Sequence, residues 1–136
     1  MLKEKHIETL KEVEEEINSS ITDKRGLLPH QRRLAFSLSV GMVSLIELYF
    51  HNLSIIKEGS KINHLWFKRR VENIKERLQN QISCQIDTIE NINEIIDLAR
   101  KLEEKRDDLV YGAPSNEKIL QEKINLFLEL RKLVKC

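Results

Sequence analysis

The sequence lacks every short motif that would identify a metal centre, a phosphate-binding loop or a hydrolytic nucleophile. Neither His-Glu-x-x-His nor Cys-x-x-Cys occurs, and no nucleophile elbow or nucleotide phosphate loop is present. The four histidines, His6, His30, His51 and His64, have no metal-ligand spacing. Zinc, dinucleotide and hydrolase functions therefore have no support, and we expect no cofactor and no metal.

Cysteine, aromatic side chains and net charge are also scarce. Cys84 and Cys136 have neither zinc-site spacing nor a companion pair, which predicts free thiols in a reducing, cytoplasmic location. The 23 basic and 22 acidic residues leave a net charge of +1. Because the global charge would not steer a polyanion to the surface, any nucleic-acid contact needs a local basic patch.

Long apolar runs are rare as well. The first twenty residues are charged and contain no apolar stretch of the length that a secretory signal requires. The apolar run 34–50 includes Glu47 and is followed at once by His51 and Asn52. These polar interruptions favour a buried central helix over a membrane span, and we expect no membrane partner.

Glycine and proline are few and fall where helices are predicted to end. Elsewhere, apolar residues recur at helical spacing and predict five helices, at about 3–21, 29–56, 63–83, 87–112 and 115–134. The predicted start signals are Pro29 in a first turn, a cap at Asn63, and a capping box between Asp87 and Glu90. Residues 1–136 are therefore predicted to form a single domain, an all-α up-and-down bundle of about five helices.

Arg106 occupies a core-facing position of the fourth predicted helix. A guanidinium cannot lose its charge, so it must pair with a carboxylate, extend to solvent, or bind an anion such as phosphate. Glu47 interrupts the most apolar helix in the same way. We therefore expect a buried Glu47–Arg106 pair that orients the guanidinium. The alternative is that Glu47 faces solvent and Arg106 extends to it at the helix end.

The segment 61–70 is a second candidate region, because basic residues flank the aromatic pair Trp66 and Phe67. This mixture is typical of sites that hold an RNA backbone and stack a base. The alternative places both aromatic rings in the core and the basic groups on a solvated face. The candidate nucleic-acid-binding residues are His64, Lys68, Arg69 and Arg70.

The pattern Arg106-Asp107-x-x-x-Tyr111, on a late helix of an all-helical chain, resembles the signature of the HEPN superfamily, the higher-eukaryote and prokaryote nucleotide-binding domain. In that family an arginine, usually followed by a polar residue, precedes a histidine by a little more than one helical turn. Many members are metal-independent endoribonucleases, often toxins paired with a minimal nucleotidyltransferase antitoxin. Others bind RNA without cutting it or act as scaffolds.

The resemblance implies that Arg106 stabilises a scissile phosphate, while Asp107 takes the polar position after it. Tyr111 replaces the family histidine, and a phenol is a poor base near neutral pH. The expected function is therefore RNA or nucleotide binding, with weak or degenerate ribonuclease activity in a toxin-antitoxin type system. The candidate catalytic residues are Arg106, Tyr111, Asp107 and Glu47.

The resemblance also implies partners. Family members commonly dimerise with their motifs facing each other, so we expect a homodimer and a minimal nucleotidyltransferase partner protein. The alternative function is a non-catalytic helical protein-interaction module, in which Arg106 and Glu47 form a purely structural pair.

Overall fold

The computed structural model describes residues 3–134, and within that range the chain is helical and forms no β-strand. Short 3₁₀ turns at Leu28–His30, His64–Lys68 and Ile86–Thr88 connect the longer elements. The prediction of an all-α helical bundle is confirmed. The α-helices are α1 (Lys3–Thr22), α2 (Gln31–Asn52), α3 (Val71–Gln79), α4 (Ile92–Glu103), α5 (Arg106–Tyr111) and α6 (Glu117–Val134).

Helix α2 runs through the centre of the bundle and contacts α1, α4, α5 and α6. By length and composition alone, residues 28–52 could cross a membrane, but 67% of their most apolar window is buried inside the protein. A core helix passes the same test. Contacts at both ends show that α1 is antiparallel to α2, because His30 meets Asp23 while His6 lies beside Glu47.

The third predicted helix, 63–83, is shorter than expected and divided in two. Asn63 caps its first turn as predicted, since its Oδ1 accepts a hydrogen bond from the Leu65 N–H at 2.9 Å. Helix α3 then ends at Gln79. The side-chain Nε2 of Gln79 donates a hydrogen bond to the Cys84 carbonyl at 2.7 Å, and its Oε1 accepts one from the Ile86 N–H at 2.8 Å. Because this amide satisfies the backbone groups that a longer helix would have used, residues 80–86 leave the helix.

The fourth predicted helix begins later than expected and is also divided. Asp87 bonds the Lys75 ammonium at 2.8 Å, and the helix starts at Ile92, after Asn91 adopts a left-handed φ of 61°. Lys105, with a φ of 60°, separates α4 from α5. The Lys123 ammonium donates hydrogen bonds to the carbonyls of Lys101 and Glu104. These bonds satisfy carbonyls at the end of α4 and stabilise the change of direction.

Hydrogen bonds connect the C-terminal end of α5 to the start of α2. The Gln31 amide donates to the carbonyls of Leu109 and Ala113 at 3.1 and 3.2 Å, and its oxygen accepts from the Ser115 N–H at 2.7 Å. Arg32 Nε donates to the Val110 carbonyl at 3.0 Å. These bonds satisfy carbonyls that the short helix leaves open, and they fix α5 against the central helix.

Helices α2 and α6 approach closely at Gly41. A Cβ atom at this position would lie 2.7 Å from Cε1 of Phe127, whose side chain is fully buried. Since that distance is shorter than a van der Waals contact, glycine sets the separation of the two helices here.

We expect Gly41→Ala to destabilise the protein by about 1–3 kcal/mol through overpacking, a cost that exceeds the gain in helix propensity of up to about 1 kcal/mol. Urea denaturation of the variant and of wild type measures the difference. Phe127→Leu should cost less in the Gly41→Ala background than in wild type, because the smaller side chain relieves the clash. Additive effects of the two substitutions would contradict the close approach.

Candidate functional site

The break between α4 and α5 brings together polar side chains from three separate parts of the sequence. Helix α2 supplies one residue, the 3₁₀ turn 64–68 supplies two, and the end of α4 and start of α5 supply three. We call this group the junction site; it consists of Ser39, His64, Lys68, Glu103, Arg106 and Asp107.

Glu103 is the fully buried acid of the junction site. Its Oε2 accepts a hydrogen bond from Ser39 Oγ at 3.0 Å, and its Oε1 lies 2.6 Å from His64 Nδ1. An ionised carboxylate only accepts hydrogen bonds, so the hydrogen-bond network assigns the proton of His64 to Nδ1. In the neutral form of the ring, Nε2 then carries the lone pair; the His64 side chain is 31% exposed.

Asp107 bridges two basic side chains at the surface. Its Oδ2 accepts from Lys68 Nζ at 2.6 Å and its Oδ1 accepts from Arg106 Nη1 at 3.0 Å. These hydrogen bonds, first that of Lys68 and then that of Arg106, hold the pKa of Asp107 below its usual value. Because Asp107 and Lys68 are both well exposed, solvent screens the pair and it adds little to stability.

Arg106 keeps hydrogen-bonding capacity even though it is buried. Its guanidinium carbon lies 5.8 Å from the centre of the Phe36 ring, a cation–π arrangement. Among residues 3–134, Nε of Arg106 has no hydrogen-bond partner. A buried donor without a partner is costly, so this nitrogen lowers the stability of the fold.

The geometry of the junction depends on the left-handed residue Lys105. This conformation costs a residue with a side chain about 1–2 kcal/mol relative to the right-handed one. It ends α4 immediately after the buried Glu103 and starts α5 at the buried Arg106. Strain of this kind persists only where the surrounding structure stabilises it, and it is concentrated at functional sites.

The expected Glu47–Arg106 pair does not form, and that prediction is wrong. Glu47 lies near the far end of α2, where its Oε1 accepts from the Ile62 N–H at 2.6 Å and its Oε2 lies 3.0 Å from His6 Nε2. Arg106 instead pairs with its own neighbour, Asp107. The sequence pattern correctly identified Glu47 and Arg106 as buried charges. It did not show that Arg106 packs beside Phe36, near the opposite end of α2 from Glu47.

The other predicted residues are distributed unevenly around the junction site. Tyr111 ends α5 with 78% of its surface exposed, whereas Arg106 at the start of that helix is buried. Arg69 and Arg70 are exposed beside Lys68. Phe67 is fully buried in the core, in agreement with the alternative that placed the aromatic rings there, and Trp66 is half-buried.

Sequence reasoning missed Ser39, Glu103 and Phe36 as members or neighbours of the site. Ser39 interrupts an apolar helix, and a polar residue in that setting was the one available signal. No sequence signal marked Glu103, because it belongs to a helix end that is rich in charged residues. Only folding brings it beside Ser39 and His64.

Residues 3–134 contain no group of three histidine, cysteine, aspartate or glutamate side chains placed to hold a metal ion. Cys84 is a half-buried free thiol, and Cys136 lies outside the described residues. Comparisons with protein-family models, curated proteins and solved structures found no match to this chain.

Glu47 and His6 form a buried contact away from the junction site. Glu47 Oε2 and His6 Nε2 lie 3.0 Å apart as an ion-pair contact, but neither ring nitrogen of His6 has a hydrogen-bond partner among the described residues. Burial and then the neighbouring His51 lower the pKa of His6 to about 4. Burial raises the pKa of Glu47, against the opposing effect of the Ile62 N–H.

These shifts predict that His6 destabilises the fold in acid. Between about pH 6.5 and 4 the unfolded chain binds a proton at His6 that the native state does not, so stability falls as the pH falls. The slope from this residue approaches about 1.4 kcal/mol per pH unit. Glu47, which binds its proton more readily in the native state, opposes this loss in the part of the window above its usual pKa.

His6→Gln should remove the His6 contribution, so its stability should depend less steeply on pH than that of wild type. Urea denaturation at several pH values measures this. His51→Gln is the companion variant, and it should make the total loss of stability smaller, because without His51 the pKa of His6 in the native state lies closer to its usual value and the pH window ends sooner. Parallel curves for wild type and His6→Gln would contradict the assignment.

Proposed function

We propose that this protein is a HEPN-like domain that binds RNA through a backbone phosphate at the junction site. The observation that carries the proposal is the convergence of Lys68 and Arg106 on the two oxygens of one carboxylate, Asp107. A phosphodiester also presents two free oxygens and one negative charge. The ammonium and guanidinium are therefore already oriented for an anion of this shape.

Neighbouring residues favour a polynucleotide over a single small anion. Arg69 and Arg70 extend the basic surface beyond Lys68 and are exposed. Phe36, 54% exposed beneath the Arg106 guanidinium, offers an aromatic surface to an unstacked base. Together these residues supply the local basic patch that a chain of net charge +1 needs in order to bind nucleic acid.

We expect Arg106→Gln to weaken the binding of labelled single-stranded RNA by about tenfold or more, since a hydrogen bond to a charged group contributes about 1.5–3 kcal/mol. Fluorescence anisotropy measures the affinity, and thermal melting confirms the fold. Asp107→Asn should bind more tightly than wild type, because it removes the negative charge that competes for Lys68 and Arg106.

The matched control for the loss of charge is Arg77→Gln, on the exposed last turn of α3. It should bind RNA as wild type does, apart from a small change common to any lost positive charge. If Arg106→Gln and Arg77→Gln lose the same affinity, the junction site is not the phosphate site.

Protein binding is a second candidate function, supported by exposed apolar residues next to the junction site. Phe36 and Val40 are exposed on one face of α2, and Leu65 is exposed beside His64. Exposed apolar residues that cluster mark interaction surfaces in soluble proteins. A homodimer that covers this face agrees with the family resemblance, as does a nucleotidyltransferase partner.

Phe36→Glu should dissociate such a homodimer, because a charge would be buried at the interface without a partner. Sedimentation velocity over a range of concentrations measures the association. Ile21→Glu is the control, since Ile21 is equally exposed, at 52%, near the end of α1. A wild-type protein that remains monomeric at high concentration would exclude the homodimer.

A further inference from the structure

A groove of about 580 Å³ lies between α1 and α6, and none of the residues that line it belongs to the junction site. Both helices pack on α2, but contacts between α1 and α6 themselves are sparse. Part of the central helix is therefore uncovered between them. The volume falls within the range of about 300–1,000 Å³ that is usual for sites that hold small molecules. We call this feature the α1–α6 groove.

The lining of the α1–α6 groove is mostly apolar, with a buried floor and partly exposed walls. Residues of α2 and α6 form the floor, and residues of α1 and α2 form much of the walls. The floor residues are Leu45, Tyr49 and Phe127, and the wall residues are Ile7, Leu10 and Leu48. Apolar side chains that remain in contact with water in a concave site favour an apolar ligand, because binding removes both surfaces from water.

One end of the α1–α6 groove carries charged side chains. Glu14 of α1 and Arg131 of α6 form an ion pair across the groove, and both side chains are partly exposed. Lys11 lines the groove one helical turn from Glu14, and within the described part of the chain it has no ion-pair partner. Two positive charges therefore accompany one negative charge at this end. Because a guanidinium has five N–H donors, Arg131 can bond a second carboxylate while it keeps Glu14.

The ion pair also distinguishes between possible occupants. A partner helix, about 10 Å in diameter, would have to separate Glu14 from Arg131 in order to enter the groove. An alkyl chain is narrow enough to lie along the floor while the ion pair stays intact. The stretch of α1 from Ile7 to Glu14 is about 10 Å long at 1.5 Å per residue. An extended chain advances about 1.2 Å per bond, so a tail of about eight or nine carbons fills this length.

We propose that the α1–α6 groove binds an unbranched anionic amphiphile, a free fatty acid of about ten carbons. Its carboxylate bonds Arg131 and Lys11, and its tail lies over the apolar floor toward Ile7 and Val134. The excess of positive charge at the head-group end selects an acid over an amine. This site is separate from the junction site, and the inference does not depend on the binding of RNA.

The first test titrates the full chain with hexanoate, octanoate, decanoate and dodecanoate by calorimetry, each below its micelle concentration. A buried methylene contributes about 0.8 kcal/mol, so each added pair should tighten binding by up to about 15-fold. The gain should stop near decanoate, where the tail fills the groove. Decyltrimethylammonium has the same tail with a positive head group, and it should bind about tenfold more weakly or less tightly still, because it loses the hydrogen bonds to Arg131 and Lys11.

The second test uses paired variants of the protein, with thermal melting to confirm each fold. Arg131→Gln should weaken decanoate binding about tenfold, whereas Lys132→Gln, the exposed neighbour outside the groove, is the control for a lost charge and should bind as wild type does. Leu48→Gln places a polar group on the groove wall and should also weaken binding. Its control is Leu53→Gln, at an exposed apolar residue that does not line the groove.

Four results would overturn the proposal. They are the absence of saturable decanoate binding, equal affinity for the acid and the ammonium compound, affinity that keeps rising at the same rate beyond decanoate, and equal losses in Arg131→Gln and Lys132→Gln. If wild type binds no decanoate but self-associates, and Leu48→Gln prevents that association, the occupant is a second copy of the chain. None of these results alters the proposed binding of RNA at the junction site.

Discussion

The buried Glu103 carboxylate is the interaction on which the rest of the junction depends. It lies at the last residue of α4 and is held by Ser39 from α2 and by His64 from the turn 64–68. A buried carboxylate is tolerated only when hydrogen bonds replace its lost hydration. Three parts of the chain must therefore reach their final positions together before this charge is stable, and so Glu103 couples helix packing to the arrangement of the site.

The helix breaks have a common cause, which is competition from side chains for backbone hydrogen bonds. Gln79 satisfies groups beyond α3, Lys123 satisfies carbonyls at the end of α4, and Gln31 satisfies carbonyls at the end of α5. Each replaces bonds that a continuous helix would have made within itself. The break at Lys105 is the consequential one, because it lets Glu103 face inward while Asp107 reaches the surface beside Lys68.

The sequence alone predicted most of the architecture. Apolar spacing identified α1, α2 and α6 closely, and Pro29, Asn63 and Gly112 marked real boundaries. The capping box at Asp87 and Glu90 was a wrong prediction, because Lys75, distant in sequence, takes the Asp87 carboxylate. Local signals of this kind hold where no tertiary contact offers the same group a better partner.

For the site, the sequence determined which residue types are available, and the tertiary structure decided which of them meet. Periodicity placed Arg106 and Glu47 on core-facing positions, and both are buried, since burial follows from position on a helix face. Their partners depend on how far along α2 each neighbouring segment packs, which no local pattern encodes. In the folded protein Glu47 therefore accepts a hydrogen bond from the Ile62 backbone. The contacts of the junction site are made by Glu103 with His64 and by Lys68 with Asp107. Contacts between residues distant in sequence arise only when the whole core packs, and for that reason only the three-dimensional structure contained them.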